Sequence, residues 1–349
     1  VSGRLDLRRG VVVSAEPLLV EVAGEHRPAW ADTVLLGEMR PGDEVVVNVA
    51  AIELGLGSGG FDVVHVNLTR GLEVAERGGE HVIKLNYTSL QHPVEPIEVA
   101  EPKSRFLSPH IGDKGTTGLE RGEVPVLVLP LHGHLAPAAW AAAQAAPGLR
   151  VGYVQTGGGA LPGSFSRDVA TLRERELLCG HITAAPAYGG EHDALSTAGA
   201  LDAGAKLGWE AILVGPGPGI IGSDTEFGHG GMVALDSAHA ALSLGMPTTI
   251  SPRLSGSDPR ERHRGLSHHT YTVLELLLAP VDVAVPTEFP DAAAELETAR
   301  EERHHLHLAS VDLDGYAASG LPTSTMGRSL AEDPMFFAAP LAAGHLLGA

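Results

Sequence analysis

The chain has 349 residues, with 24 lysines and arginines against 43 aspartates and glutamates and a formal net charge of −19, a balance that argues against duplex nucleic acid and anionic membrane as partners unless a local basic segment acts alone. Glycines number 44 and aromatic residues make up 4%, which favours close helix-on-sheet packing over a face that stacks on bases. A single cysteine, Cys179, excludes an internal disulfide and a cysteine-based zinc cluster, and its place just before a buried strand suggests a packing role.

No apolar run reaches the roughly 20 residues of a membrane helix, and the polar opening Ser2-Gly3-Arg4-Leu5-Asp6 lacks the apolar stretch of a secretory signal. A cytoplasmic protein is expected.

From residue 9 to 68 the pattern is one of short β runs: Gly10 to Val13, Leu18 to Val22, Asp32 to Leu36, Glu44 to Asn48 and Phe61 to Val66. Turn chemistries separate them, among them Arg40-Pro41-Gly42-Asp43 and the glycine-rich tip at 55–60. The spacing predicts a small β-barrel or sandwich, placed at residues 1–100. It carries no cluster of titratable side chains, so an accessory role or homo-oligomer assembly is expected of it. A linker follows at 101–123, rich in charge, glycine and proline.

Residues 124–349 alternate strand with helix. Val126-Leu127-Val128-Leu129 leads to a helix over 136–146, Val151-Gly152-Tyr153-Val154 to 167–178, Ile182-Thr183-Ala184 to 193–207, Ile212-Leu213-Val214 to 232–244, and Thr248-Thr249-Ile250 to 270–278. The run at 281–285 closes the series; a helix at 291–303, a strand at 305–311, a loop at 322–328 and an apolar tail helix at 336–347 complete the chain. Continuous apolar strands with amphipathic helices between them mean a mainly parallel sheet covered on both faces. The fold class is therefore α/β: a three-layer αβα, Rossmann-like domain preceded by the small β domain.

In such a sheet every strand-to-helix loop opens on one edge, where ligands bind. Those loops are polar here, whereas the returning ones, such as Gly208-Trp209-Glu210 and Gly245-Met246-Pro247, are terse. The first polar loop carries His132 and His134; the second Gly157, Gly158, Gly159 and Ser164; the fourth Gly217, Asp224, Glu226 and His229; the fifth Arg260, Arg262, Arg264, His268 and His269. The glycine loop either holds a phosphate or carboxylate on its amides or is a turn with Ser164 or Ser166 as helix cap. Neither a Walker loop nor the Rossmann glycine spacing is present, since two prolines interrupt Gly215, Gly217, Gly219 and Gly222. The arginine segment either binds an anion or pairs internally with Asp258 and Glu261.

The expected ligand is a small anionic metabolite bearing phosphate or carboxylate, held by Gly157, Gly158, Gly159, Ser164, Gly217, Arg260, Arg262, Arg264 and His269. His132, His134, His229 and His268 are the candidate acids and bases, being side chains that titrate near neutrality, with Asp224 and Glu226 orienting them. A divalent metal such as zinc on His132, His134 and Asp224 is one reading; a metal-free polar pocket is the other. Hydrolysis or group transfer is expected, against the alternative of a non-catalytic metabolite sensor or scaffold using the same pocket.

At Lys84-Leu85-Asn86-Tyr87-Thr88-Ser89-Leu90-Gln91, Gly157-Gly158-Gly159-Ala160-Leu161-Pro162, residues 260–270 and Ser324-Thr325-Met326-Gly327-Arg328, the chain resembles a bacterial family known as domain of unknown function 3866, over nearly its whole length. The resemblance implies no activity. His132-Gly133-His134-Leu135-Ala136-Pro137 and Gly228-His229-Gly230-Gly231 are also similar to metal-binding stretches of creatininase-type amidohydrolases, though with different spacing and without that family's later acidic motif.

Overall fold

The computed structural model describes residues 5–55, 59–72, 82–99, 121–299 and 302–349. Two compact units divide between residues 80 and 81. In the first, β1 (Leu7–Ala15), β2 (Leu18–Val22), β3 (Glu25–Trp30), β4 (Glu44–Asn48) and β5 (Asp62–Asn67) close into a barrel in the order β1-β2-β3-β5-β4. Its pairs are antiparallel except β3 with β5. Alternate residues Val12, Val20, Val22, Val45, Val47 and Val64 fill the interior.

One expected strand is replaced. Residues 32–36 are not extended: Asp32 accepts a hydrogen bond from the Val34 amide and caps a single helical turn, α1 (Thr33–Leu36), while the barrel takes Glu25–Trp30 as its third strand. A second single turn, α2 (Ala50–Glu53), follows β4.

The second unit begins with a hairpin, β6 (Val82–Lys84) and β7 (His92–Val94). By their sequence these residues are expected with the barrel, at 1–100, but buried Lys84 ties them to the α/β body. Its ammonium donates to the carbonyls of Thr183 and Ala187 and pairs with Asp193 at 2.7 Å, and Glu98 accepts from the Leu195 amide. Most of the expected linker, 101–120, lies outside the described residues.

The body is an eight-stranded sheet. Its strands are β8 (Val126–Val128), β9 (Val151–Thr156), β10 (Gly180–Ala184), β11 (His192–Ala194), β12 (Ala211–Pro216), β13 (Thr248–Ile250), β16 (Asp282–Pro286) and β17 (His305–Ala309). Two-residue strands β14 (Leu254–Ser255) and β15 (Gly265–Leu266) form a separate ladder between β13 and β16. The sheet order is β11-β10-β9-β12-β8-β13-β16-β17, and every pair is parallel. The helix expected from residue 193 starts later, because His192–Ala194 pairs with β10 as an edge strand and Ser196 caps the helix that follows.

The helices are α3 (Leu135–Ala145), α4 (Arg167–Glu174), α5 (Thr197–Lys206), α6 (Val233–Ser243), α7 (His268–Leu276), α8 (Pro290–Ala299), α9 (Leu313–Ala318) and α10 (Pro334–Gly348). The period of two along each strand sorts side chains into two cores. Val126, Val128, Ile212 and Val214 pack with α5, α6, α7 and α8; Leu127, Leu129, Ala211 and Leu213 pack with α3, α4, α9 and α10. This division follows from the path: the chain steps outward from β8 through β9 to β10, then returns through β12 and on to β17, and right-handed crossovers put the two directions on opposite faces. The reversal leaves β8 flanked by β12 and β13, whose crossovers cover the face opposite its own, a switch point of the kind at which α/β proteins bind ligands.

Among the described residues no helix is long and apolar enough to cross a membrane. Trp209, 2% exposed, lies against Gly152 of β9, Gly180 of β10 and Gly204 of α5; a Cβ at Gly152 would fall inside the indole. Gly152→Ala is therefore expected to destabilise the body by about 1–3 kcal/mol through overpacking, read as a lowered urea midpoint with an unchanged slope; an unaltered midpoint would show that the indole moves freely.

Candidate functional site

The carboxyl ends of β8, β9, β12 and β13 carry the site, and two glycine loops form its floor. Gln155 at the end of β9 donates to the Ala160 carbonyl at 3.0 Å and shapes residues 157–163. The Ala160 amide donates to the Pro218 carbonyl at 2.7 Å, and the Gly163 amide to Tyr188 at the same distance. Close approach of main chain to main chain explains the glycines: a Cβ on Gly159 would strike the Gly217 carbonyl, one on Gly217 the Ala160 carbonyl, and one on Gly158, at φ +94°, would lie 2.8 Å from the Gly230 carbonyl. Ser164 is exposed, and Ser166 rather than Ser164 caps α4 by accepting from the Val169 amide.

His132 stands in a 3-10 turn directly after β8 and is 9% exposed. Its Nδ1 lies 3.2 Å from the Pro216 carbonyl. A carbonyl only accepts, so Nδ1 carries the proton and Nε2 accepts from the Ser166 hydroxyl at 2.8 Å. Asp168 in the first turn of α4 brings a carboxylate oxygen to 3.8 Å from the same Nε2. Burial lowers the His132 pKa, against the opposing pull of Asp168 and of the Pro216 carbonyl, which favours the neutral ring in the tautomer that the Pro216 carbonyl sets.

His132 and Asp168 face a cavity of about 270 Å³ whose wall also includes Gly133, Pro218, Gly219, Thr325, Met326 and Phe337. Thr325 and Met326 come from the hairpin of β18 (Ser324–Thr325) and β19 (Arg328–Ser329). Met326 and Gly327 both take positive φ, 47° and 75°, as a two-residue hairpin turn of type I′ requires.

His134, two residues on, points to the other neighbour of β8. It is fully buried, its Nδ1 lies 2.9 Å from Ser251 Oγ, and its ring meets Phe336 edge-on. Asp224 is 84% exposed and pairs with Arg262 at 2.6 Å. His132, His134 and Asp224 thus do not converge, and the metal set expected from the sequence does not assemble. Glu226 is exposed and offers its backbone carbonyl, not its carboxylate, to His229.

Of the arginines expected to hold an anion, Arg260 and Arg262 are engaged by the chain's own carboxylates and Arg264 by a backbone carbonyl. Asp258, fully buried, receives Arg260 through two hydrogen bonds of 2.9 Å, Arg328 at 3.2 Å and Arg253 at 3.4 Å. Burial alone would raise the Asp258 carboxyl; the hydrogen bonds from Arg260 and the charges of Arg260 and Arg328 outweigh it and hold the group well below the usual carboxylate range. Arg264 donates to the Asp258 carbonyl. Gly217 is buried in the glycine floor and does not face the arginines.

A second centre lies between the β12 and β13 loops. His229, His268 and His269 come together with His263: His229 stacks on His269 at 3.7 Å between centroids, and His268 stands edge-on to both at 5.4 and 4.4 Å. The nitrogens that His229, His268 and His269 can offer lie within 4.8 Å of one another, the one group of this kind among the described residues. Burial, then Arg253, lowers His269, and burial lowers His229 and His268. None of the three lines the His132 cavity.

The expected histidines therefore separate into a His132 cavity, a core His134 and a three-histidine centre. Sequence reasoning missed Asp168, Thr325 and Met326 in the cavity and Arg253 beside the histidines. Asp168 had a signal, its position two residues after a serine cap, but Arg253 had none, because its burial depends on Leu254 pairing with Leu266.

Burial holds His134 down to about 3, with Arg253 adding to it, and holds His181 down to about 4. Both folded values lie below the ordinary 6.5, so the unfolded chain binds the extra protons and stability present above pH 6.5 is lost on acidification. Between pH 6.5 and about 4 each ring should lower the unfolding free energy by about 1.4 kcal/mol per pH unit. His181→Asn should flatten the decline of urea midpoints over that window; an unchanged slope would show that His181 is protonated in the folded state.

No curated protein matches the chain, and no solved structure matches it. A model of a protein family of unknown function (DUF3866) matches residues 29–344, and with the parallel sheet, its glycine floor and its histidine centres all inside that span, the chain belongs to this family.

Proposed function

We propose that the protein is a hydrolase or group transferase acting on a small molecule bound beside His132. One observation carries this reading: at the switch point of a parallel sheet, a buried neutral imidazole of fixed tautomer and a carboxylate share the wall of a cavity of about 270 Å³, a size suited to a small metabolite. His132 Nε2, now bonded to the Ser166 hydroxyl, accepts a proton from water or an acceptor hydroxyl that takes the serine's place as that oxygen bonds to the substrate's electrophilic centre, and gives the proton to the leaving group as its bond to that centre breaks. The Pro216 carbonyl stabilises the imidazolium formed in between, as does Asp168.

The cavity wall holds a carboxylate and no arginine. Arg260, Arg262 and Arg264 are bonded to Asp258 or Asp224. These features favour a substrate group that is neutral or cationic, an alcohol, amide or amine, over the anion expected from sequence.

A thermal-shift screen of neutral and cationic metabolites should identify ligands, and turnover should then be measured on the hits. His132→Ala is expected to lower kcat by about 10²–10⁴-fold with affinity changed only a few-fold, and Asp168→Asn to weaken amine ligands most. Turnover that survives in His132→Ala would overturn the assignment, and tight binding without turnover in the unaltered protein would leave a metabolite-binding protein instead.

A further inference from the structure

The geometry points to a second site in this protein, a divalent transition-metal centre on His229, His268 and His269, distinct from the His132 cavity and resting on none of its residues. Its basis is the tautomers. His229 Nε2 lies 2.9 Å from the Glu226 carbonyl and His268 Nδ1 lies 3.3 Å from the Arg262 carbonyl. Each carbonyl can only accept, so each of those nitrogens carries the ring proton. The opposite nitrogens, His229 Nδ1 and His268 Nε2, are left with bare lone pairs. Both are buried and neither has a hydrogen-bond partner. An orphaned buried acceptor costs about 1–3 kcal/mol, and two in one cluster call for a shared occupant.

This is the arrangement found around imidazole-bound metals, where the ring nitrogen away from the ion donates to a carbonyl or carboxylate and fixes which nitrogen ligates. Neutral imidazole nitrogens suit zinc and its neighbours. Gly231 is part of the cradle, since a Cβ there would lie 2.9 Å from His229 Nδ1 and 3.0 Å from His269 Nδ1.

The present spacing is open. Ligand nitrogens lie within 4.8 Å of one another, whereas bonds of about 2.0–2.1 Å in a tetrahedral shell place them about 3.3–3.4 Å apart. Binding therefore requires the rings to move closer together. His269 Nδ1 accepts from Arg253 at 3.1 Å, so it joins the shell by releasing that guanidinium, which keeps its bond to Asp258. Three neutral ligands leave the charge of the ion uncompensated. With Arg253 beside it, the remaining position favours an anion: hydroxide, or a carboxylate or phosphate oxygen of a ligand.

The test uses the full chain stripped with a chelator and titrated with Zn(II) and with Co(II), following stoichiometry by elemental analysis and the visible bands of tetrahedral Co(II). One ion per chain is expected. His229→Ala and His268→Ala, shown folded by circular dichroism, should lose at least the roughly 10–100-fold in affinity that outer-sphere partners alone command, and Gly231→Ala should also weaken binding. His132→Ala should bind the metal normally, which separates this site from the cavity. Because a variant that fails to fold decides nothing, imidazole ¹⁵N spectra of the unaltered protein provide an independent reading: Zn(II) should shift His229 Nδ1 and His268 Nε2. Absence of metal binding, equal binding by the His229 and His268 variants, or unmoved nitrogens at those two positions would each overturn the proposal.

Discussion

The carboxylate of Asp258 lies at the centre of the site region. Fully buried, it is bonded to Arg253 in the loop after β13, to Arg260 in the basic segment and to Arg328 in the β18–β19 hairpin. Arg328 reaches on to Asp333 at the start of α10, and Asp333 accepts from Ser255 and from the Gly256 amide. Removing one member of such a network leaves a buried charge uncompensated, at a cost of about 3–5 kcal/mol. Both centres depend on it: through Arg253 it holds His269, and through Arg328 it anchors the hairpin that supplies Thr325 and Met326 to the His132 cavity.

The glycine floor has a comparable consequence. Residues 157–163 and 215–219 meet backbone to backbone, and Gly158 approaches Gly230 in the same way. The loop after β9 is therefore fastened to the loop after β12, which continues into His229. The Pro216 carbonyl, held by the Tyr153 hydroxyl at 2.9 Å, is also the acceptor that sets the tautomer of His132. Packing of main chain thus decides the protonation pattern of a side chain two strands from β9.

Much of the body was legible because its signals are periodic. Val126 to Val128 and Ala211 to Val214 are continuous apolar runs, their alternate residues supply two cores, and only a parallel sheet with helices on both faces buries them. Departures arise where one polar contact overrides the run: Asp32 caps a helical turn in an apolar stretch, and Asp193 sits in an edge strand under Lys84 instead of opening a helix. The collection of polar residues at the carboxyl edge was also legible, since that edge follows from strand direction alone. How those residues divide was not. His132 and His134 look equivalent in sequence, yet β8 lies between β12 and β13, and a 3-10 turn sends one ring towards Pro216 and the other towards Ser251.

The sequence by itself determined the α/β body, the direction of its strands and the edge on which its histidines and arginines gather, because these depend on patterns repeated over many residues. Tertiary structure alone decided that Arg253, Arg260 and Arg328 converge on Asp258, that His132 pairs with Ser166 and Asp168, and that His229, His268 and His269 meet. Those outcomes turn on contacts between residues distant in sequence, such as Arg328 with Asp258, 70 positions apart, and on which side of a strand a neighbour lies. No local pattern encodes either.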